Sequence, residues 1–456
     1  MKVCKFGGSS LADAAQVRKV CDIVAADPAR RIVVVSAPGR RHAGDIKVTD
    51  LLIEAAELRR AGRPTAGKVD EIVARYAAIA ADLDLPDAAA AGVRADIEAR
   101  LGAGIEHPEH FMDTMKAAGE DNCARLMAEA LQARGLQARY LGPRDGGLLL
   151  SEEHGQARIL PESYDRLAAA LGDAVGITVF PGFFGFSPAG KLVTFSRGGS
   201  DITGAVLAAA VNADLYENFT DVDSVLVADP GIVDHPRAIG ELTFREMREL
   251  SYAGFNVLHD EAIMPAVHAG IPICVRSTDN PAAPGTRIVP ERTYEPGQVV
   301  GISSDAGFCT VLLSKYLMNR ELGFGRRVLQ IFEEERISYE HMPSGIDSLS
   351  VIVRQDDFDE ARQEHVLRRI REELEPDDMD IEHGLALIMI VGEGMRYTVG
   401  KAAQAVGALA AAGVNIEMMN QGASEISMMF GVKEVDRRRA VRSLYRAFFE
   451  PEREGE

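Results

Sequence analysis

Two short stretches set a pair of glycines beside a cation. The first, Lys5-Phe6-Gly7-Gly8-Ser9-Ser10, closes a β-rich run that begins at Lys2. The second, Ser196-Arg197-Gly198-Gly199-Ser200-Asp201, follows the β-rich run 192–195 and precedes the helix-like stretch 202–213. Paired glycines let backbone N–H groups approach a ligand closely, and the N-terminus of the helix that follows adds unsatisfied donors and a partial positive charge, which suits a phosphate. Ser9 or Ser10 is expected to cap the helix beginning near Leu11. Lys5 supplies a cation for a transferring phosphoryl group. Arg197 can hold a carboxylate through two parallel hydrogen bonds, and Asp201 can pair with an ammonium or a metal. Neither stretch fits the GxxxxGK[ST] loop or the GxGxxG fingerprint, so those nucleotide-binding folds are disfavoured. No nucleophile stands paired with a base, so the sequence does not support covalent catalysis.

Other polar residues each have a functional and a plain structural reading. Glu120 follows Gly119 at the predicted start of a helix, where an acid also complements the helix dipole. Thr220-Asp221 ends the run 215–219, the strand-end position at which α/β sheets bind ligands, although Asp221 with Asp223 can also close a turn. His107 and His110 flank Pro108, and the proline argues for a solvated helix start rather than a helical metal site. Arg437-Arg438-Arg439 is predicted to be a solvated face.

The elements that must position these residues alternate between β-rich and helical stretches over the first two-thirds of the chain, the pattern of an α/β domain. Short apolar runs at 2–6, 31–36, 177–180, 192–195, 215–219 and 273–275 are predicted strands, and 48–134 is rich in helix formers. The segment Asn280-Pro-Ala-Ala-Pro-Gly-Thr286 ends the first domain. The 456 residues suffice for several domains, and the formal net charge of −19 repels nucleic acid and anionic lipid. No apolar stretch approaches a membrane span, and the N-terminal residues lack the apolar core of a signal peptide. The five cysteines are scattered without a CxxC pair, so neither a disulfide framework nor a zinc cluster is indicated. The expectation is a soluble cytoplasmic protein.

Beyond the first domain the chain repeats itself at an offset of 77 residues, which aligns Ile337 with Val414, Glu340 with Glu417, Met342 with Met419, Gly345 with Gly422 and Ser350 with Ser427. Leu329 and Phe332 match Val406 and Leu409 at the same offset, three apart and so on one helix face in both copies. A period this long points to two small domains in tandem rather than a solenoid.

These residues together resemble the aspartate kinase family. KFGGSS at 5–10, SRGGSD at 196–201, FTDVDSV at 219–225, LSYAGFNVLHDEAIMPA at 250–266 and STDNPAAPGT at 277–286 carry the catalytic half of the resemblance. MNRELGFGRRV at 318–328 and VNIEMMNQGASEISMMF at 414–430 resemble the paired ACT regulatory domains that follow it. The resemblance is to a monofunctional kinase, because the chain has no room for the homoserine dehydrogenase domain fused in some relatives. It implies an α/β fold: an αβα sandwich of the amino-acid-kinase type with a mainly parallel sheet (residues 1–290), followed by two ferredoxin-like ACT α+β domains (301–375 and 384–450).

The same resemblance implies phosphorylation of the β-carboxylate of L-aspartate by ATP with Mg2+, without a metal held by the protein itself. Lys5 and Asp201 would be catalytic. Ser36, Thr49, Glu120, Arg197, Gly198, Gly199, Ser200 and Asp201 would form the aspartate site, with Arg197 on the α-carboxylate and Glu120 and Asp201 on the α-ammonium. Lys5, Gly7, Gly8, Ser9, Thr220, Asp221, Leu226, Asn256 and Val257 would lie at the nucleotide. The chain departs from many members at Leu226, Gly231 and Asn256, where those members carry Tyr, Arg and Lys against ATP. Met318, Phe324, Gly325, Glu340, Ser344 and Asp347 would bind an amino-acid effector, lysine or threonine, and ACT pairing implies a homodimer. Two other readings stay open on sequence: a kinase of another small carboxylate or carbamate, and a catalytically silent amino-acid sensor.

Overall fold

The computed structural model describes residues 1–172, 175–196, 198–255, 258, 260–422 and 424–450. The chain divides into two compact units, one comprising Met1–Val225, Ala238–Met247 and Val257–Arg292, the other Leu226–Arg237, Arg248–Asn256 and Thr293–Glu456.

In the first unit, β1 (Lys2–Phe6), β2 (Arg30–Val35), β3 (Ala138–Tyr140) and β4 (Ile177–Pro181) precede a hairpin of β5 (Phe184–Phe186) and β6 (Leu192–Thr194), and β7 (Leu215–Thr220), β8 (Glu241–Thr243), β9 (Ile273–Ser277) and β10 (Thr286–Val289) follow. The main sheet has eight strands in the order β3-β4-β2-β1-β7-β9-β10-β8, parallel except between β9 and β10. The helices along this part of the chain are α1 (Ala14–Ala25), α2 (Val48–Arg60), α3 (Ala66–Asp82), α4 (Ala88–Leu101), α5 (Pro108–Ala133), α6 (Pro143–Gly146), α7 (Glu162–Gly172), α8 (Gly199–Ala210), α9 (Phe244–Tyr252) and α10 (Asp260–His268). The central strands read as near-continuous apolar runs because helices cover both faces of the sheet. Cys4, Phe6, Val33, Val35, Val179 and Phe219 enter one core with side chains of α1 to α5. Alternation along the strands turns Lys5 and Asn218 to the opposite face, where α8 packs on β1 and β7.

A charged cluster is buried within the sheet. Glu217 on β7, fully buried, accepts hydrogen bonds from Arg30 Nε at 2.6 Å and Nη2 at 2.9 Å and from Arg276 Nη1 at 2.9 Å. Burial alone would push the Glu217 carboxyl up, but these guanidinium bonds outweigh it and hold the group below the usual carboxylate range. The cluster ties β2, β7 and β9 together through Glu217, the residue before Asn218 on β7.

The second unit is built on one antiparallel sheet of β11 (Gly301–Ser314), β12 (Tyr339–His341), β13 (Ser348–Arg354), β14 (Asp378–Val391), β15 (Met418–Asn420) and β16 (Ser427–Lys433), in the order β12-β13-β11-β14-β16-β15. Its helices include α11 (Phe324–Glu334), α12 (Glu360–Leu374), α13 (Lys401–Ala411) and α14 (Arg437–Phe449). The sequence repeat reappears in space: Phe332 on α11 and Leu409 on α13 are both buried, as are Ile337 and Val414. Each half is a four-stranded, two-helix ferredoxin-like unit. The second half completes its sheet with residues 301–305 of β11, which pair with 387–391 of β14 and precede the first half in sequence. The two long strands change register at 305/308, beside Gly307 (φ 83°) and Gly384 (φ 72°), so left-handed glycines mark the join.

Arg437-Arg438-Arg439 is not merely a solvated face. Arg438 Nη2 donates to Gly231 O at 2.7 Å, Arg442 Nε to Ile232 O at 2.7 Å, and Arg437 lies 3.8 Å from the Asp229 carboxylate. Segment 226–237 runs past α14 and leaves carbonyls that the arginines satisfy. All five cysteines are free and buried, and no described helix is long and apolar enough to cross a membrane.

Candidate active site

The first glycine turn leaves the C-terminal end of β1 at the point where the chain order reverses between β2 and β7, the crevice in which open α/β sheets bind ligands. Gly7 N–H donates to Phe219 O at 3.1 Å, and Gly39 N–H donates to Gly8 O at 2.8 Å. A Cβ on Gly8 would stand 2.9 Å from Ala37 O, so the loops leaving β1 and β2 touch because both contact positions are glycine. The predicted serine cap is replaced by another residue. Ser9–Leu11 forms one 3-10 turn, and α1 starts at Ala14 with the Asp13 carboxylate accepting from Gln16 N–H at 2.9 Å. Asp13 takes the cap because its backbone is extended there, whereas Gly8, ahead of the serines, is already helical. Ser9 is exposed, and the Ser10 hydroxyl meets that of Thr278 at 2.7 Å.

The second glycine turn brings Asp201 to Lys5. Gly198 is left-handed (φ 75°) and α8 begins at Gly199, which puts Asp201 in its first turn. A Cβ on Gly199 would come within 2.7 Å of the Phe183 ring, so the turn closes tightly against the end of β4. Lys5 Nζ lies 2.6 Å from Asp201 Oδ1, with both side chains largely buried. Asn218 Nδ2 donates to the same oxygen at 2.7 Å, and the Tyr216 hydroxyl donates to Asp201 O at 3.2 Å.

Glu120 is not at a helix start. It lies in the middle of α5, so its charge does not serve the dipole of that helix. It is 5 % exposed, and its Oε2 has no hydrogen-bond partner. Burial pushes its carboxyl up to about 7, against the lowering effect of the Ala37 N–H. Gly119 allows this approach, since a Cβ there would overlap Ala37, and the Tyr76 hydroxyl donates to Gly119 O at 2.7 Å. A buried acid with an unsatisfied oxygen is suited to receive a cation.

The remaining expected residues surround these. Ser36 follows β2, its N–H donating to Phe6 O at 3.2 Å, and the loop after it holds α2, and so Thr49, through Val48 N–H to Pro38 O at 3.2 Å. Ser200 packs against Gly182 after β4. Thr220 ends β7, its hydroxyl 3.1 Å from Asp221 Oδ1, while Asp223 accepts from Asn280 Nδ2 at 3.0 Å instead of closing a turn with Asp221. Leu226 lies in segment 226–237 of the second unit. Arg197, Asn256 and Val257 lie outside the described residues. His107 precedes α5, with Pro108 as its first residue, and His110 Nδ1 meets Leu192 O at 3.1 Å. Sequence reasoning missed Asn218, Tyr76 and the Ala37 N–H. A buried asparagine in the apolar run of β7 was the available signal for the first; the others had none.

In the second unit, Met318 and Phe324 are buried in the core of the first half. Leu317 N–H donates to Asp347 Oδ1 at 2.8 Å and Asn319 N–H to Ile346 O at 3.1 Å, which ties the loop before α11 to the turn carrying Ser344 and Asp347. Gly325 is the second residue of α11, next to Met342. Glu340 stands apart. β12 pairs with the far end of β13 (His341 with Ile352), about 17 Å along the strand from Asp347 at 3.3 Å per residue. Its carboxylate already accepts from Arg354 Nε at 3.2 Å and from the Tyr252 hydroxyl.

Residues 1–277 match the amino acid kinase family and residues 388–448 an ACT domain. Aspartokinase 3 of Bacillus subtilis is 54% identical over 449 residues, covering 98% of this chain and 99% of that protein. The crystal structure of Clostridium acetobutylicum aspartate kinase superposes with a TM-score of 0.87 at 37% identity, over 98% of this chain and 100% of that one. Escherichia coli aspartokinase III, 28% identical over 99% of this chain and 100% of its own, superposes with a TM-score of 0.78 in complex with aspartate and ADP and 0.76 with lysine and aspartate.

Proposed function

The chain belongs to the aspartokinase family, and we propose that it transfers the γ-phosphoryl group of ATP to the β-carboxylate of L-aspartate, the first step towards lysine, threonine and methionine, under feedback control by an amino acid. The observation that carries this reading is the buried Glu120 carboxylate with one oxygen unpartnered, near the loop that touches the Gly7-Gly8 turn. A free α-amino acid supplies the ammonium this oxygen lacks, whereas an N-acylated substrate would leave it unpaired at a cost of several kcal/mol, on the order of the desolvation of a buried charge. The lysine complex of the Escherichia coli relative supports lysine as the effector class.

On this reading Glu120 and Asp201 hold the α-ammonium and Arg197 the α-carboxylate, with Ser36, Thr49 and the 198–200 turn lining the site. The attacking β-carboxylate is already ionised at neutral pH, so no general base is needed. Its oxygen forms the new bond to phosphorus as the β,γ-bridging bond breaks and ADP leaves. The protein supplies position and charge. Lys5 moves from Asp201 to the equatorial phosphoryl oxygens, Gly7, Gly8 and Ser9 offer backbone donors, and Mg2+ enters with ATP as part of the substrate. Thr220, Asp221, Leu226, Asn256 and Val257 lie at the nucleotide.

Residues 1–290 form the catalytic domain, and 301–375 and 384–450 the ACT domains, which pair in a cytoplasmic homodimer. Met318, Phe324, Gly325, Ser344 and Asp347 are assigned to the effector together with Glu340. The test is ADP release from Mg-ATP with L-aspartate, with L-lysine and L-threonine added singly and together. Aspartate-dependent turnover, lost in Lys5→Ala, supports the kinase. Folded protein without turnover rejects it in favour of another acceptor or a silent sensor.

A further inference from the structure

We propose that Asn218 is a positioning residue of the phosphoryl-transfer site, holding the Asp201 carboxylate in place so that Lys5 can leave it for the phosphoryl group; this rests on the kinase reading above. Lys5 on β1 and Asn218 on β7 are register partners in adjacent parallel strands, so their side chains rise side by side towards α8. Both reach one atom. Asp201 Oδ1 lies 2.6 Å from Lys5 Nζ and 2.7 Å from Asn218 Nδ2. Asp201 Oδ2 makes no hydrogen bond among the described residues, and the side chain as a whole is 17% exposed.

The two donors differ in what they can do. Lys5 carries its charge on a flexible four-carbon stem, whereas Asn218 is short, 2% exposed and fixed on a central strand between Lys5 and Val275. An amide in that position is costly to bury unless it is bonded, and Asp201 is the acceptor it finds. When phosphoryl oxygens draw Lys5 away, a carboxylate without another donor would be a partly buried charge with its partner removed. Such a carboxylate would hold Lys5 back. The Asn218 bond remains and the Tyr216 hydroxyl keeps the Asp201 backbone in register, so the ammonium can be transferred at smaller cost. No proton or bond changes at Asn218.

The test compares Asn218→Ala with the isosteric Asn218→Asp, which keeps the shape and replaces a donor with an acid. In aspartate-dependent ADP release, kcat is expected to fall roughly 10- to 100-fold in both, as for loss of a hydrogen bond to a charged group. Asn218→Asp should recover as pH is lowered, because a proton shared between the two carboxyls restores the missing donor, a trend that loss of packing would not produce. A second measurement needs no turnover. In substrate-free protein, modification of Lys5 by an amine-directed reagent, followed by peptide mass spectrometry, should slow several-fold in both variants, since Asp201 then holds the ammonium more tightly. Unchanged Lys5 reactivity, or equal losses of activity with no pH-dependent recovery and a lowered unfolding temperature, overturns the proposal. Slowed Lys5 modification in the two variants, with a wild-type protein that shows no aspartate-dependent turnover, would uphold the contact and reject the kinase reading alone.

Discussion

A Cβ added to Gly119 would stand 2.7 Å from the Cβ of Ala37, closer than two carbon atoms can pack. The middle of α5 therefore lies against the loop after β2 at a separation that only glycine permits. From this loop the Ala37 N–H acts to lower the Glu120 carboxyl, against the larger upward effect of burial.

Gly119→Ala is expected to separate stability from substrate affinity. Replacing a mid-helix glycine gains about 1 kcal/mol in helix propensity, and overpacking costs about 1–3 kcal/mol, so the fold should lose no more than about 2 kcal/mol. The displaced helix carries Glu120 away from the Ala37 N–H, and the KM for aspartate should rise about tenfold while kcat changes less. Thermal unfolding and steady-state kinetics on one preparation measure both. An unfolding temperature lowered in proportion to the loss of affinity would mean that Gly119 serves packing alone.

Because burial places the Glu120 carboxyl at about 7, kcat/KM for aspartate should rise with pH through that value and level off above it. The sign follows from the ionised form being the one that pairs with the α-ammonium. In the free protein the same group works against folding once it ionises. Its folded pKa lies above the ordinary 4.5, so its contribution is fully present below 4.5 and is lost as pH rises through about 7. Aspartate should therefore raise the unfolding temperature more at pH 8 than at pH 6. Glu120→Gln should flatten both trends, and an unchanged acid limb in that variant would assign it to another group.

Much of this site could be read in the sequence. Its two glycine turns are contiguous signals, and Lys5 and Asp201 sit within them as residue types whose chemistry is explicit. The 77-residue offset gave the repeat, because apolar spacing survives in both halves. Other features depended on contacts that span long stretches of chain. Glu120 was misplaced on its helix because Gly119 looked like punctuation, and the Ala37 contact that requires this glycine is invisible in local sequence. Asn218 reaches Asp201 from a strand, and strand register emerges only in the assembled sheet. The α14 arginines looked like a solvated face because a charge run has that reading unless carbonyls from elsewhere come to meet it.

Those arginines lead to a further expectation. Arg438 and Arg442 donate to the consecutive carbonyls of Gly231 and Ile232, so the double change Arg438→Ala/Arg442→Ala should loosen segment 226–237. Hydrogen exchange should speed up at the Ile232 and Val233 amides, which bond to Asp229 O, while the strands of the second unit keep their protection. Unchanged exchange at 226–237 would mean that the arginines contribute only surface hydrogen bonds.

Glu340 offers the most direct test of the effector site. It is held by Arg354 Nε at 3.2 Å and by the Tyr252 hydroxyl, which is itself pushed to a higher pKa by burial and by this carboxylate. An effector ammonium that takes Glu340 must compete with both donors. Tyr252→Phe removes one of them with almost no change in volume, so the half-inhibitory concentration of lysine should fall about 3- to 10-fold, the scale of one hydrogen bond to a charged group. Glu340→Gln should act in the opposite direction, raising that concentration while leaving kcat without effector unchanged. Dose–response curves of ADP release for the three proteins decide the matter. If Tyr252→Phe weakened inhibition, the tyrosine would be part of the inhibited state, and competition for Glu340 would not be the step that the effector controls.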